Sequence, residues 1–494
     1  MSEYEIRDSI GTAKGLDASE QPAGGGEVFR HSKKRHETRT NTALHVVLAV
    51  ICVVWLVPFV FLVCQSFRSF QTESGGMVDY VWPREGLSMD NYKALFIKGF
   101  NAKNYTITNM NDEAVKQAAI EKFNGDFTRD FTQGFVPWWL GSLGIAAVTA
   151  LVITGAIVLL KREADRSDAV AGRRWLILFV ILQAVFIPFL LVVSGIRSAE
   201  FTGTQGILKV FLSMFLFIGF GAVAGHVYLK QDARLLREIP GYPQESAWAW
   251  VKRAAVLFLE LTALLLVLLC YIRPNDNSQY ITWYGNTLTI ALFVSVIQTV
   301  IVLSVSYTLS RIRFKGRKLL MNVVLVLGMF PGFLTMVVLY FILRDLGLTQ
   351  SGAVPGLILI YCASSGMGYY ISKGFFDTIP KSLDESARID GATRFQVFLK
   401  IIMPLAKPIV IYTILMAFMA PWGDYVFASY VAFGSPDNFN VAVGLYRWVN
   451  VNDYQGYFTL FCAGGVLVAL PITALFLALQ KYYVEGVTGG AVKG

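Results

Sequence analysis

The sequence is dominated by apolar stretches that match the thickness of a lipid bilayer. Ten runs of roughly 20 residues contain very few charged side chains. Such a run crosses hydrocarbon only as a helix, because each backbone N–H and C=O group must be bonded within the chain. A composition of 55% hydrophobic and 16% charged residues also excludes a soluble protein of this size. The sequence therefore predicts an all-α polytopic membrane protein with about ten transmembrane helices, at 43–64, 140–160, 175–194, 207–229, 254–272, 286–310, 319–343, 353–372, 409–430 and 458–480.

The loops between these runs alternate in their content of Lys and Arg. Basic residues cluster at 30–39, 161–174, 230–253 and 311–318, whereas four of the opposite loops each hold a single basic residue, namely Arg197, Arg273, Arg344 and Arg447. Short loops rich in Lys and Arg are retained in the cytoplasm. We therefore expect both termini to be cytoplasmic. The net charge of +9 follows from this asymmetry, and no nucleic-acid partner is needed to explain it.

The first 42 residues are polar and contain three consecutive glycines, so we expect a disordered cytoplasmic tail. We find no pattern of a cleavable signal peptide in them and expect the first apolar run to act as a signal anchor. The five cysteines fall in or beside predicted spans, where they usually act as small packing residues, so we infer neither a disulfide nor a metal site. They are Cys52, Cys64, Cys270, Cys362 and Cys462.

A charged segment, DESARIDGATRFQVFLKIIMPLAKP, interrupts the apolar C-terminal half at 384–408, inside a loop predicted to be cytoplasmic at 373–407. Two capping boxes predict two short helices, the first from Ser382 and Glu385, the second from Thr393 and Gln396. Gly391 lies between them, where a residue able to adopt positive φ lets the chain reverse. The sequence therefore predicts a helical hairpin.

The second helix of this hairpin carries one apolar face, formed by Phe395, Phe398, Leu399 and Ile402. The loop has no obvious core of its own to bury this face, so a partner protein is expected to cover it. We predict that Pro404 and Pro408 stop this helix before the next span.

The spacing of the hairpin residues resembles the EAA loop of ABC importer permeases, E-A-A, three residues, G, nine residues, I, x, L, P. Here the matching run is Glu385, Ser386, Ala387, Gly391, Ile401, Met403 and Pro404, with Ser386 and Met403 as mild departures. In that family the loop docks into a cytoplasmic ATPase subunit. The alternative is an ordinary capped helix-turn-helix. The resemblance implies an ATPase-coupling role for Glu385, Ser386, Ala387, Asp390, Gly391, Ile401 and Pro404.

The resemblance extends over about 286–494 and around the first span. The runs DTIP at 377–380, PWGDYVFASYVAF at 421–433, VAVGLY at 441–446 and LSMDNYKALF at 87–96 resemble the carbohydrate-uptake branch, particularly its maltose- and maltodextrin-type permeases. Six helices are usual there, so four spans are extra. The implied organisation is a first core helix at 43–64, an extracellular loop at 65–138, an inserted four-helix module at 139–272, the permease core at 283–482 with the coupling loop 373–407, and a flexible cytoplasmic tail at 483–494.

The family resemblance also implies partners that this chain lacks. No G-x-x-x-x-G-K-[ST] phosphate loop is present, so the chain is not expected to be an enzyme, and it has no candidate catalytic residue. The implied partners are an ABC ATPase dimer that binds ATP and Mg²⁺, a second homologous permease subunit and an extracellular solute-binding protein. The implied cargo is an oligosaccharide, and the sequence does not say which.

Polar residues inside predicted spans are candidates for contact with the transported solute or with ions. Trp422 and Asp424 suit the apolar face and the hydroxyls of a sugar, so they are candidate path residues. The alternative is interfacial anchoring for Trp422 and a helix–helix hydrogen bond for Asp424. Glu260 lies in the predicted module, so we expect it to be protonated or paired with a neighbouring helix and not to take part in transport. Two other classes stay open: an ion-driven secondary transporter using Glu260 and Asp424, and a non-transporting scaffold.

The four extra spans are even in number, so they return the chain to the side it left without inverting later helices. We expect them to form a lateral module outside the sugar path.

Overall fold

The computed structural model describes residues 25–69, 87–101, 104–105, 112–164, 278–329, 332–364, 366–451 and 456–489, with the single residues 255, 258, 259, 262 and 266. Within these ranges the chain is helical and contains no strand, which confirms the all-α prediction. The predicted spans 175–194 and 207–229, most of 254–272, and Glu260 lie outside the described residues. The role predicted for the module therefore stays a prediction.

The helices are numbered here along the described part of the chain. They are α1 Gly25–Ser66, α2 Asp90–Ala94, α3 Glu113–Arg129, α4 Val136–Ala164, α5 Gln279–Arg311, α6 Arg317–Gly328, α7 Gly332–Asp345, α8 Ala353–Ala363, α9 Gly366–Thr378, α10 Ser382–Ile389, α11 Arg394–Val397, α12 Met403–Leu405, α13 Lys407–Gly423, α14 Val426–Val431, α15 Val441–Val451 and α16 Gly456–Gly489. Two π-helical stretches continue these helices, Asp130–Phe135 between α3 and α4, and Phe398–Ile402 between α11 and α12.

The chain divides into two compact units, Met1–Phe61 and Leu62–Gly494. In the first unit α1 begins at Gly25, so residues 25–42 are helical where we predicted disorder. From Leu44 onward its apolar side chains are exposed; Trp55, for example, is 72% exposed. A helix that presents apolar residues on all sides is suited to lipid.

Four helices in the described residues are long and apolar enough to cross a membrane, or up to six if each of two bent pairs counts as one span. The predicted spans 286–310 and 458–480 fall within such helices, at Gln279–Arg311 and Tyr457–Gln480, and 43–64 matches Leu44–Ser66 except for its first residue. A further one, Glu113–Gly155, contains α3 and starts well before the predicted 140–160. Part of the predicted extracellular loop is therefore helical, and the total of ten spans stays a prediction.

Three predicted spans are broken. The run 319–343 is divided between α6 and α7, and 353–372 between α8 and α9. Between α7 and α8 the chain bends by 101°. Gly347 allows this bend because its φ of +70° suits a residue without Cβ. The third, 409–430, ends as a helix at Gly423.

The second unit is organised around α5, which packs against α8, α9, α13 and α15, while α13 also packs against α16. Its buried positions combine Trp283, Ile290 and Val294 with small polar residues such as Thr287 and Ser306. Small side chains let helices approach closely inside a membrane, and their hydroxyls bond to backbone carbonyls. Helix α5 is thus the central element of this unit.

The segment after α1 is held by one buried amide side chain. Asn91 of α2 is fully buried, and its Nδ2 donates to the carbonyls of Ser66, at 3.0 Å, and Arg68. Its Oδ1 accepts from Thr459 of α16 at 2.9 Å. The LSMDNYKALF run therefore ties the end of α1 to the last helix.

Helix α16 continues to Gly489, although we expected a tail too flexible for a helix from residue 483.

Candidate functional site

The candidate site is the hairpin of residues 382–405, which follows α9 and precedes α13. Its turn is a Schellman motif: the N–H of Gly391 donates to the carbonyl of Arg388 at 3.1 Å, and the N–H of Ala392 to that of Ala387 at 3.0 Å. Gly391 has a φ of +83°. The predicted chain reversal at Gly391 is confirmed.

One predicted capping box is present and the other is not. The hydroxyl of Thr393 accepts from the N–H of Gln396 at 3.3 Å, and the Gln396 side chain accepts from the N–H of Thr393 at 2.8 Å. The box at Ser382 is wrong, because α10 begins at Ser382 itself. Lys381 precedes it with helical φ and ψ of −70° and −23°, and its side chain makes no cap. A side-chain cap requires an extended residue at that place.

Most of the apolar face of the second helix is covered by the chain itself, contrary to our prediction of a partner, and of its four residues only Phe395 remains exposed. Val397 and Ile402 are buried in a small core that includes Tyr307 of α5 and Phe376 of α9. The ring of Phe398 lies 4.7 Å from that of Tyr307. The sequence did not reveal this core because Tyr307 lies on α5, which is distant from the hairpin in the chain, and the contact with α9 depends on the tertiary fold.

The prolines act differently from our prediction. Pro404 occupies the first turn of α12, where a missing N–H is tolerated, so it does not end the helical path. The path ends at Ala406, and the chain bends by 84° before α13, which begins with Pro408 in its first turn.

Charged side chains fix the hairpin to the ends of α5 and α9. Arg311 is the last residue of α5, and its side chain is only 6% exposed. Its Nε lies 3.0 Å from Oδ2 of Asp384, and its Nη2 donates to the carbonyl of Ile379 at 2.8 Å. Burial raises the pKa of Asp384, while Arg311 opposes this increase and the nearby Glu385 adds to it. The pair therefore joins α5 directly to α10.

A second tie lies one residue earlier in α5. Ser310 donates to Oδ1 of Asp377 in α9, and Lys373 pairs with its other carboxylate oxygen. Burial acts to raise the pKa of Asp377, but these two hydrogen bonds and the positive charges of Lys373 and Arg317 together outweigh it, so the pKa lies below its usual value. Sequence reasoning missed both ties, although DTIP contains Asp377 and Ile379.

The predicted coupling residues divide between surface and core. Ala387 is buried and Ile401 packs against the small core, whereas the others are exposed, namely Glu385, Ser386, Asp390, Gly391 and Pro404. Two apolar residues of the hairpin are also strongly exposed, Ile389 at 87% and Phe395 at 68%. An apolar surface next to charged groups is typical of a protein-binding site.

Trp422 and Asp424 lie far from the hairpin. They occupy the other end of α13, a helix that rises about 25 Å. Trp422 is 4% exposed and meets Tyr284 edge to face at 5.3 Å. Asp424 follows the helix rather than lying inside it; its carboxylate accepts from the hydroxyl of Tyr361 and from the N–H of Phe427.

The break after α13 is closed by a fully buried side chain that the sequence did not suggest. Nδ2 of Asn440 donates to the carbonyl of Asp424 at 2.7 Å and to that of Pro421 at 3.2 Å. Its Oδ1 accepts from the N–H of Val443 at 2.9 Å, which caps α15.

Comparison with known proteins identifies the family. Residues 301–489 match the family model described as "Binding-protein-dependent transport system inner membrane component". The chain is 40% identical over 223 residues to the maltodextrin transport system permease protein MdxG of Bacillus subtilis, covering 45% of this chain and 79% of that protein. It is 42% identical over 217 residues to the maltodextrin transport system permease protein MalD of Streptococcus pneumoniae, covering 44% and 76%.

Further similarity extends to a galactooligosaccharides transport system permease protein, GanQ of Bacillus subtilis, with 38% identity over 222 residues, covering 44% of this chain and 77% of that protein. Among solved structures, a bacterial ABC transporter involved in the import of the acidic polysaccharide alginate matches with 22% identity and a TM-score of 0.38, covering 49% of this chain and 99% of that one.

These relatives are transport permeases, which confirms the prediction that the chain is a membrane transport component and not an enzyme. They also place it as a multi-pass protein of the bacterial membrane. The chain belongs to the family of binding-protein-dependent ABC importer permeases, in its maltose- and maltodextrin-type branch.

Proposed function

We propose that this chain forms part of the path of an ATP-driven oligosaccharide importer, and that the 382–405 hairpin receives the movement of a separate ATPase subunit. The observation that supports this most is the two-sided character of the hairpin. Its buried residues are fixed to α5 and α9, while Glu385, Ile389 and Phe395 are exposed.

The proposed transmission is mechanical. A force on the exposed face reaches α5 through the Arg311–Asp384 pair and through the buried contacts of Val397 and Ile402. Because α5 packs against four other helices of the unit, its displacement changes the packing around the path. Buried packing transmits such shifts because cores are dense and resist compression.

The proposed assembly contains partners outside this chain. ATP and Mg²⁺ bind the ATPase dimer, a second homologous permease subunit completes the path, and an extracellular solute-binding protein delivers the sugar. The names of the relatives support an oligosaccharide of the maltodextrin or galactooligosaccharide kind. The asymmetry of basic loops supports a cytoplasmic position for the hairpin and for both termini.

For Asp424 we favour a structural role, because Tyr361 and Phe427 already bond its carboxylate. Trp422 is buried among aromatic rings, so contact with sugar requires that α13 and α5 separate at this end.

Transport by the reconstituted complex tests the proposal. The importer must require both ATP and the binding protein, a secondary transporter an ion gradient, and a scaffold would move no sugar. Glu385→Lys should reduce co-purification of the ATPase. Glu121→Lys, the same charge change at an exposed site in α3, should not. Equal loss in both variants would refute the role of the hairpin.

A further inference from the structure

A basic cavity lies between the C-terminal end of α5 and the hairpin. It has a volume of about 470 Å³ and is lined by six cationic side chains and two acidic ones. The cations are Arg311, Arg313, Arg317, Lys381, Arg388 and Arg394, and the acids are Asp384 and Glu385. Such an excess of positive charge around a concave surface concentrates anions.

The buried Arg311 has an unused donor in this cavity. Its Nη2 donates to the carbonyl of Ile379, and its Nε forms an ion pair with Oδ2 of Asp384 without a hydrogen bond, whereas Nη1 is buried with neither kind of partner among the described residues. Oδ1 of Asp384 is also buried and accepts no hydrogen bond from the described residues. Buried polar atoms are nearly always bonded, so these two require explanation. A ligand that offers both an acceptor oxygen and a hydroxyl satisfies both.

The other cations of the cavity are also available. Of the six, only Arg311 has a carboxylate within 4 Å in the part of the chain that the structure describes. Arg388 and Arg394 belong to the hairpin, whereas Arg313 and Arg317 follow α5 along the chain. A single anion therefore has arginines available from both sides.

We propose that this cavity binds a phosphate-bearing anion that carries a hydroxyl group. The guanidinium fork matches phosphate oxygens in a bidentate way. Because Arg311 ends a membrane-spanning helix, the cavity lies at the depth of lipid headgroups. Two sources share this chemistry, a headgroup such as phosphatidylglycerol and a small soluble phosphate compound. Either would bridge α5 to the hairpin and hold the two together.

Direct binding tests the proposal without any transport assay, so its outcome is separate from that of the proposed function. The purified full chain is placed in phosphatidylcholine nanodiscs, and its melting temperature is measured with added pyrophosphate or inorganic phosphate. A second series replaces part of the lipid by phosphatidylglycerol. A ligand that binds the folded state alone raises the melting temperature.

The variant pair Arg388→Gln with Arg394→Gln removes two cations that are exposed and have no ion-pair partner in the described ranges, so folding should be retained. Lys315→Gln is the matched control, an exposed cation of the same region that does not line the cavity. We expect at least tenfold weaker binding in the double variant and unchanged binding in the control.

Stabilisation by the soluble probes, lost in the double variant, supports a soluble phosphate ligand, and stabilisation only by phosphatidylglycerol supports a lipid. The proposal is overturned if no probe stabilises the wild-type chain, or if the double variant responds as the wild type does. Weaker ATPase co-purification by the double variant, with no effect of any probe, assigns the cavity to an acidic protein surface instead.

Discussion

The turn at Gly391 offers the sharpest perturbation of the hairpin. A Cβ at this position meets no atom within 4 Å, so any effect of a substitution comes from the backbone and not from crowding. At a φ of +83° an L-residue is strained by roughly 1–2 kcal/mol, and a β-branched residue falls at the upper end. A cost of about 2 kcal/mol changes the equilibrium between the native turn and a rearranged one by about 30-fold.

We therefore expect Gly391→Val to lower the melting temperature of the permease slightly and to abolish the stimulation of ATP hydrolysis by sugar and binding protein. Gly391→Asn should be much milder, because asparagine tolerates the left-handed region. Gly374→Val is the control, since Gly374 lies in α9 without a positive φ and with open space around it. Wild-type coupling by the Val variant would refute the argument, as would equal defects with Asn and Val.

Three further perturbations address the packing around the site. Asp384→Leu should lower the free energy of unfolding by about 3 kcal/mol because it leaves Arg311 buried without a counter-charge or an acceptor, whereas the double variant Arg311→Met with Asp384→Leu should recover most of that loss. Chemical denaturation of the wild type and of both variants checks this, and equal loss in the double variant would contradict it. Gly444→Ala should lower the free energy of unfolding by about 2 kcal/mol because its Cβ would lie 2.0 Å from the buried indole ring of Trp283. Gly423→Ala should leave the stability unchanged because there is open space around Gly423, and thermal unfolding of both variants tests this difference. The lowered pKa of Asp377 means that its carboxylate stabilises the fold above the unfolded-state pKa of about 3.9 and loses this effect as the pH falls through the lower folded-state value. The difference in melting temperature between wild type and Asp377→Asn should thus be constant from neutral pH to about pH 5 and shrink below about pH 4; a difference independent of pH would disprove the assignment.

Local chemistry in the sequence was sufficient for the class of protein and for the turn of the hairpin. Apolar runs as long as a bilayer dictate helices whatever their neighbours are, and Gly391 with the Thr393–Gln396 box acts within a few residues. These features depend on short-range physics, so one sequence contains the information.

Features that depend on tertiary packing were not accessible. Most of the apolar face of the hairpin looked unpartnered because Tyr307, which helps to cover it, comes from a helix much earlier in the chain, and Phe376 of the preceding helix reaches it only through tertiary packing. The Arg311–Asp384 pair was missed for the same reason, because in the sequence Arg311 is only one of several basic residues at the end of a predicted span.

Broken spans were missed because hydropathy averages over a window. The end of α13 at Gly423 depends on Asn440, whose amide bonds two carbonyls there and is fully buried. From the sequence alone, an asparagine in a polar loop gives no indication that it will bond carbonyls at the end of a helix 16 to 19 residues away.

Site-specific photo-crosslinking tests whether the exposed residues of the hairpin contact the ATPase subunit, as proposed. A photoreactive residue is placed at Ile389, the most exposed large apolar side chain of the hairpin, and in a separate variant at Phe433, another strongly exposed apolar site beyond the other end of α13. We expect the probe at position 389 to crosslink to the ATPase in the assembled complex, and the probe at position 433 to give no such product. Absence of a crosslink from position 389, in a complex that hydrolyses ATP in response to sugar, would contradict the account.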